Sequence, residues 1–143
     1  MEQFVLDASV GVKWIFREEM SEKAISYLRR LEQKEIQIIV PEFFYSELAN
    51  ICWVNFKKKL CSLAQATKAL DQVMDFSLTR YSDRELSDVA LENAVKFNIP
   101  VYDGIYLALS EVYVAPFITA DRALFKACKA RFDFIEFLGD VQV

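Results

Sequence analysis

Three times this sequence places a short apolar run ahead of an aspartate and then passes into a helical pattern: Phe4-Val5-Leu6 leads to Asp7, Val101-Tyr102 to Asp103, and Phe117-Ile118-Thr119 to Asp121. Apolar runs this short, bounded in this way, read as buried strands. Strands that alternate with helices pair in parallel, because each return to the sheet needs a crossover. The rest of the chain keeps the same rhythm. A helical pattern through Val12, Trp14 and Ile15 follows Asp7, and Ser21 is placed to cap a helix to about Lys34 with Ala24, Ile25, Leu28 and Leu31 on one face. Ile36 to Val40 then reads as a buried strand stopped by Pro41, and Glu42 to Lys59 as a long, strongly apolar helix. Ser62-Leu63-Ala64-Gln65 is a capping box opening a helix to about Leu78, and Thr79 to Tyr81 makes a short strand. Ser82-Asp83-Arg84-Glu85 is a second capping box, opening a helix to about Phe97 that Asn98 and Pro100 terminate. Phe134 to Phe137 closes the chain as a strand. The sequence therefore predicts a single α/β domain over 1–143, with a mostly parallel central sheet covered by helices on both faces.

The chemistry open to such a chain is narrowed by what it lacks. There is no histidine, which removes Ser-His and Cys-His nucleophile pairs, His-based zinc sites and paired-imidazole ribonuclease chemistry. Only Gly11, Gly104 and Gly139 occur, too few and too scattered for a Walker loop or a dinucleotide fingerprint. Cys52, Cys61 and Cys128 are odd in number and set in apolar helical stretches, which fits a reducing cytoplasm. No apolar run approaches the roughly 18 residues of a membrane helix, so a cytoplasmic protein without membrane contact is expected. Apolar residues make up 54% of the chain, enough for a packed core and against a disordered reading. Catalysis, if present, falls to carboxylates.

Asp7, Asp103 and Asp121 share the junction where a strand gives way to a helix, and in parallel sheets ligands bind outside those carboxyl ends. Taken singly, each is explained as a helix cap. Glu47 is harder to explain away, because on a helix it lies within about 60° of Phe43, Phe44, Ile51 and Val54 at ~100° per residue. A carboxylate in mid-stripe must be paired, metal-bound or at a cleft, with Lys13 one available partner. Four converging carboxylates repel one another, and oxygen-only ligands suit Mg²⁺ or Mn²⁺.

The segments FVLDAS, PEFFYSELAN, VYDGIYLALS and FITADRALF carry a resemblance to the PIN-domain family, to its VapC-type toxins in particular, across the whole chain and in the right order. The resemblance implies a Rossmann-like three-layer fold and a Mg²⁺- or Mn²⁺-dependent endoribonuclease. It also implies a homodimer and a cognate antitoxin. Carried over residue by residue, it makes Asp7, Glu47, Asp103 and Asp121 the metal-binding and catalytic set, with Ser9 and Thr119 as hydroxyl partners beside them. The chain departs from the family at Gly104, where alanine is common, and at Ala123, where some members have a further acid, so one metal or two stays open.

A net charge of −4 is unusual for an RNA-binding protein, though the four clustered acids contribute to it. Lys13 and Arg17, Lys57-Lys58-Lys59, and Arg122, Lys126 and Lys129 are candidate phosphate contacts, or simply solvated helix faces. Two other readings fit the same residues. A phosphatase of the HAD-like kind would use Asp7 as a covalent nucleophile, but needs an aspartate where Ser9 stands. A non-catalytic interaction module would use every acid as a cap.

Overall fold

The structure, a computed structural model, is described here over residues 1–142. It orders strand β1 (Glu2–Leu6), helices α1 (Ala8–Ile15) and α2 (Ser21–Glu32), β2 (Ile36–Pro41), α3 (Phe44–Lys57) and α4 (Leu63–Met74). There follow β3 (Thr79–Tyr81), α5 (Asp83–Phe97), α6 (Val101–Tyr113), β4 (Phe117–Thr119), α7 (Arg122–Cys128) and β5 (Ile135–Phe137), with a 3₁₀ turn at Leu138–Asp140. The five strands form one sheet in the order β3-β2-β1-β4-β5, and every pairing is parallel. The α/β expectation holds.

Side chains of the central strands alternate between two cores. Phe4 and Leu6 of β1, with Ile36, Ile38 and Val40 of β2, join Ala24, Tyr27, Phe44 and Leu48 beneath α1, α2 and α3. Val5 and Ile39 point the other way, into a second core with Ala90, Tyr106, Leu107, Phe117 and Leu124 under α5, α6 and α7. Burial on both faces is why these strands are continuous apolar runs rather than alternating ones.

Several local expectations are corrected. Val101-Tyr102 is not a strand: α6 begins at Val101, with Pro100 at the cap in an extended conformation (φ −59°, ψ 150°). Proline's fixed φ and missing N–H suit the start of a helix, so two apolar residues after it extend no strand. Asp103 therefore lies in the first turn of α6. Ser62 forms its capping box with Gln65, but α4 stops at Met74, short of Leu78. The second box does not form, and Ser82 makes no side-chain cap. Asp83 Oδ1 instead accepts from the Phe43 N–H at the entrance to α3 (3.4 Å). Ser21 does not cap α2 either; Met20 holds the cap position with φ 67°, and Ser21 Oγ bonds back to Glu18 and Phe16. Pro41 is the last residue of β2 rather than a stop before it, and pairs with Tyr81 of β3.

Candidate active site

The strand order reverses direction between β1 and β4: from β1 the chain builds outward to β2 and β3, then returns to add β4 and β5 on the opposite side. Such a switch point opens a crevice at the carboxyl ends of the two strands. Val5 pairs with Phe117 and Leu6 with Ile118, so the residues just beyond each strand, Asp7 and Thr119, become neighbours.

Asp7 is 6% exposed and both of its oxygens are occupied. Ser9 Oγ donates to Oδ1 at 2.5 Å and Thr119 Oγ1 to Oδ2 at 2.6 Å. Those two hydroxyls are fixed from behind, since Ala120 N–H donates to Ser9 Oγ (2.9 Å) and Asp121 N–H to Thr119 Oγ1 (3.1 Å). Asp7 stands at the cap position of α1 yet makes no side-chain cap bond, so capping does not explain it. Ser9 and Thr119, which the family resemblance sets beside the four acids, both bond to Asp7.

Glu47 projects from the first turn of α3, half-buried, and accepts a 2.5 Å hydrogen bond from the Tyr106 hydroxyl. Lys13 does not neutralise it. The Lys13 side chain is 8% exposed and its ammonium pairs with Glu18 at 2.8 Å, which also removes Lys13 from the candidate phosphate contacts. Asp103 reaches the same region from α6. Asp121 caps α7 by accepting from Leu124 N–H through Oδ1 (3.0 Å), so for this residue the cap reading is correct but leaves a second oxygen available.

The electrostatics show that these side chains sense one another. Burial pushes Asp7 from its ordinary 3.8 up to about 6, with the Ser9 and Thr119 hydroxyls pulling down and the charge of Asp103 pushing up. Burial likewise raises Glu47 to about 7, opposed by the Tyr106 hydrogen bond and reinforced by Asp7, Asp103 and Asp83. Asp103 rises to about 6, first through burial and then through Asp121. Among the described residues, however, no three acidic or thiol side chains converge tightly enough to cage an ion as they stand. Instead of a closed cage the four form a chain of pairs close enough for charge to raise pKa, with Glu47 and Asp7 coupled to Asp103 and Asp103 to Asp121. Hard oxygen donors whose protons are held by burial and mutual repulsion fit a hydrated divalent ion such as Mg²⁺ or Mn²⁺, which keeps several waters and needs no complete protein cage.

The remaining basic candidates are dispersed. Arg17 pairs with exposed Glu22 (3.4 Å), Lys57 Nζ lies 3.7 Å from the Trp53 ring centroid, and Arg122 sits over Phe137. Lys129 donates to the Ile135 carbonyl. The sequence reading missed Tyr106. Its signal was in the segment VYDGIYLALS, since a tyrosine three residues after Asp103 shares its side of the helix.

The pattern of the PIN domain matches residues 4–130, and the chain belongs to the PIN-domain family. Among its relatives, Ribonuclease VapC3 of Pyrobaculum aerophilum is 28% identical over 110 residues, spanning 76% of this chain and 79% of that protein. The fold is shared with the crystal structure of PAE2754 from Pyrobaculum aerophilum (TM-score 0.69, 22% identity, 96% of this chain and 85% of that one). It is also shared with a toxin-antitoxin complex from Klebsiella pneumoniae (TM-score 0.64, 14% identity, 96% and 98%).

Proposed function

We propose that this chain is a Mg²⁺- or Mn²⁺-dependent endoribonuclease, the toxin of a toxin–antitoxin pair, with Asp7, Glu47, Asp103 and Asp121 as its metal-binding and catalytic residues. One observation carries this reading: three carboxylates, Asp7 at the end of β1, Glu47 on α3 and Asp103 on α6, have their pKa values raised to about 6 to 7 by burial and, to a smaller extent, by their acidic neighbours. A structural role for so costly a cluster is hard to find, because unpaired burial of charge is unfavourable. A divalent cation, when bound, supplies an activated water and neutralises charge developing on the scissile phosphate.

The chain's own residues supply the rest. Ser9 and Thr119 fix both oxygens of Asp7, so its orientation does not depend on substrate. Asp121 is anchored through Oδ1 to the α7 N-terminus. The name of the Pyrobaculum relative supports RNA as substrate, and the Klebsiella structure supports an antitoxin partner. For that partner we assign the apolar groove between α3 and α4, about 170 Å³, lined by Trp53, Phe56, Leu63, Ala66 and Leu70. Lys57 and Lys59 line the neighbouring cavity at the hairpin tip, which shares Phe56 with the groove, and this favours an amphipathic segment with an acidic flank.

The test is cleavage of total RNA by purified protein with Mg²⁺, with Mn²⁺ and with excess EDTA. The reading requires cleavage with either ion and none with chelator, giving 5′-phosphate and 3′-hydroxyl ends. Cyclic 2′,3′-phosphate ends, or cleavage undiminished in EDTA, would refute it.

A further inference from the structure

Tyr106 is 1% exposed and sits among the largest buried side chains of the core, yet its hydroxyl is spent on a carboxylate 59 residues away in sequence. Its ring is held on two sides. It stacks on Phe117 at 5.6 Å with 9° between the planes, and Phe43 meets it edge-on at 5.4 Å. Phe117 begins β4, the strand that ends in Thr119 and so holds Asp7; Phe43 is the cap residue of α3, the helix that carries Glu47. One packed aromatic cluster therefore ties together the elements that present the acidic residues.

On the metal-dependent nuclease reading above, we propose that Tyr106 is a positioning residue: by donating to Oε1 it fixes the Glu47 side chain in one orientation, in which the carboxylate would hold the cation. Glutamate has three side-chain torsions, and ordering them when the ion binds weakens that binding. A hydroxyl on a rigid ring orders them in advance. The same hydrogen bond favours the charged carboxylate, which is the form that ligates. Groups that orient metal ligands in this way commonly change affinity or activity by about 10- to 100-fold when removed. A purely structural role would instead have Glu47 serve Tyr106, satisfying a buried hydroxyl, and the metal site would not register the loss of that hydroxyl.

The experiment compares wild type with Tyr106→Phe, Glu47→Asp and the double variant, using the full chain. Mn²⁺ affinity is measured by calorimetry, RNA cleavage is followed against Mn²⁺ concentration, and circular dichroism and melting monitor the fold. Tyr106→Phe should keep the wild-type spectrum and its KM for RNA, raise the Mn²⁺ dissociation constant about 10-fold, and recover much of its lost rate at saturating Mn²⁺. Glu47→Asp, one methylene too short to meet the hydroxyl, should weaken Mn²⁺ binding as well. Adding Tyr106→Phe to it should weaken binding no further. Mn²⁺ affinity within twofold of wild type in Tyr106→Phe overturns the inference, as does a further 10-fold loss in the double variant. Wild-type protein that neither binds Mn²⁺ nor cleaves RNA would instead remove the nuclease reading, and this inference with it.

Discussion

Asp7, Glu47 and Asp103 hold their protons more firmly in the folded chain than a free carboxylic acid does, and this fixes how the site responds to pH. Each folded-state pKa lies above its unfolded value. The fold therefore favours the protonated form, and its contribution to stability is present below about pH 4 to 5 and is lost as pH rises through 6 to 7. A rise from 3.8 to about 6 at buried Asp7 corresponds to roughly 3 kcal/mol. The three groups are coupled, so their contributions do not sum. With no histidine in the chain to titrate in the same window, the melting temperature of the metal-free protein should fall by about 5 to 10 °C between pH 5 and pH 8, measured in EDTA at fixed salt. A flat profile would mean that the cluster is solvated. Mn²⁺ must displace the same protons, so its affinity should move oppositely and increase from pH 5.5 to 7.5. Asp103→Asn removes one member of the repelling set while keeping its shape. It should abolish cleavage, yet melt higher than wild type at pH 8 without metal and lose most of the Mn²⁺-induced gain. An Asn variant that melts lower and keeps the full metal shift would make Asp103 an ordinary first-turn acid of α6. Glu47 was legible in the sequence because a carboxylate in an apolar stripe is anomalous on its own element. Its hydrogen bond to Tyr106 was not, because a contact between residues 59 positions apart exists only once α3 and α6 have packed.

At the level of elements, β1 and β2 could be read directly because strands buried on both faces are runs of apolar residues, and Phe4 to Leu6 and Ile36 to Val40 are such runs. The start of α6 was misread because valine and tyrosine favour strands, whereas the docking of α6 onto α5 and the sheet decides in favour of helix. Gly104 is a consequence of that docking. A Cβ built there would press into the carbonyl oxygen of Ala90 and lie 3.2 Å from its carbonyl carbon, so α5 and α6 approach too closely for any side chain at this point. The obstacle is helix backbone, which does not yield as the end of a side chain would. Alanine should therefore destabilise this chain by about 1 to 2 kcal/mol net, because overpacking against backbone, at the upper end of roughly 1 to 3 kcal/mol, outweighs the roughly 1 kcal/mol gained from helix propensity. Urea denaturation of Gly104→Ala decides the sign. A stabilised variant would mean that α5 moves aside at little cost. The two capping boxes show the limit of local motifs: Ser62 and Gln65 are exposed and free to pair, whereas Asp83 is drawn to the Phe43 N–H and Ser82 is left without a side-chain bond.

For the whole molecule, the parallel sheet followed from the strand and helix rhythm, as did the strand-end placing of Asp7 and Asp121 but not that of Asp103. The outer faces did not follow, because exposure is set by which helices cover which. Two helical hairpins leave large apolar side chains in solvent. The α3–α4 hairpin exposes Trp53, Phe56, Leu60 and Leu63, and the α5–α6 hairpin exposes Leu91, Val95, Val112 and Val114. Their charge separates them. Lys57, Lys58 and Lys59 cluster at the tip of the first hairpin, and among the described residues none has a carboxylate in salt-bridge range. Two copies meeting there across a two-fold axis would oppose their own lysines, because such an interface brings the same patch together twice. Like charges brought together in this way are costly. The α5 surface around Leu91 and Val95 has acids and bases interspersed, including Glu92 and Lys96, and tolerates its own copy. We therefore predict that the chain pairs with a second copy through the α5 side, leaving the α3–α4 groove for the proposed partner segment. Light scattering should give twice the 16.6 kDa chain mass for wild type, and the single-chain mass for Leu91→Glu/Val95→Glu. Leu63→Glu should stay dimeric and lose partner binding instead. A monomeric wild type removes the dimer altogether. A dimer broken by Leu63→Glu but not by the α5 pair would exchange the two faces, and the hairpin lysines would then require a counter-charge from elsewhere on the second copy.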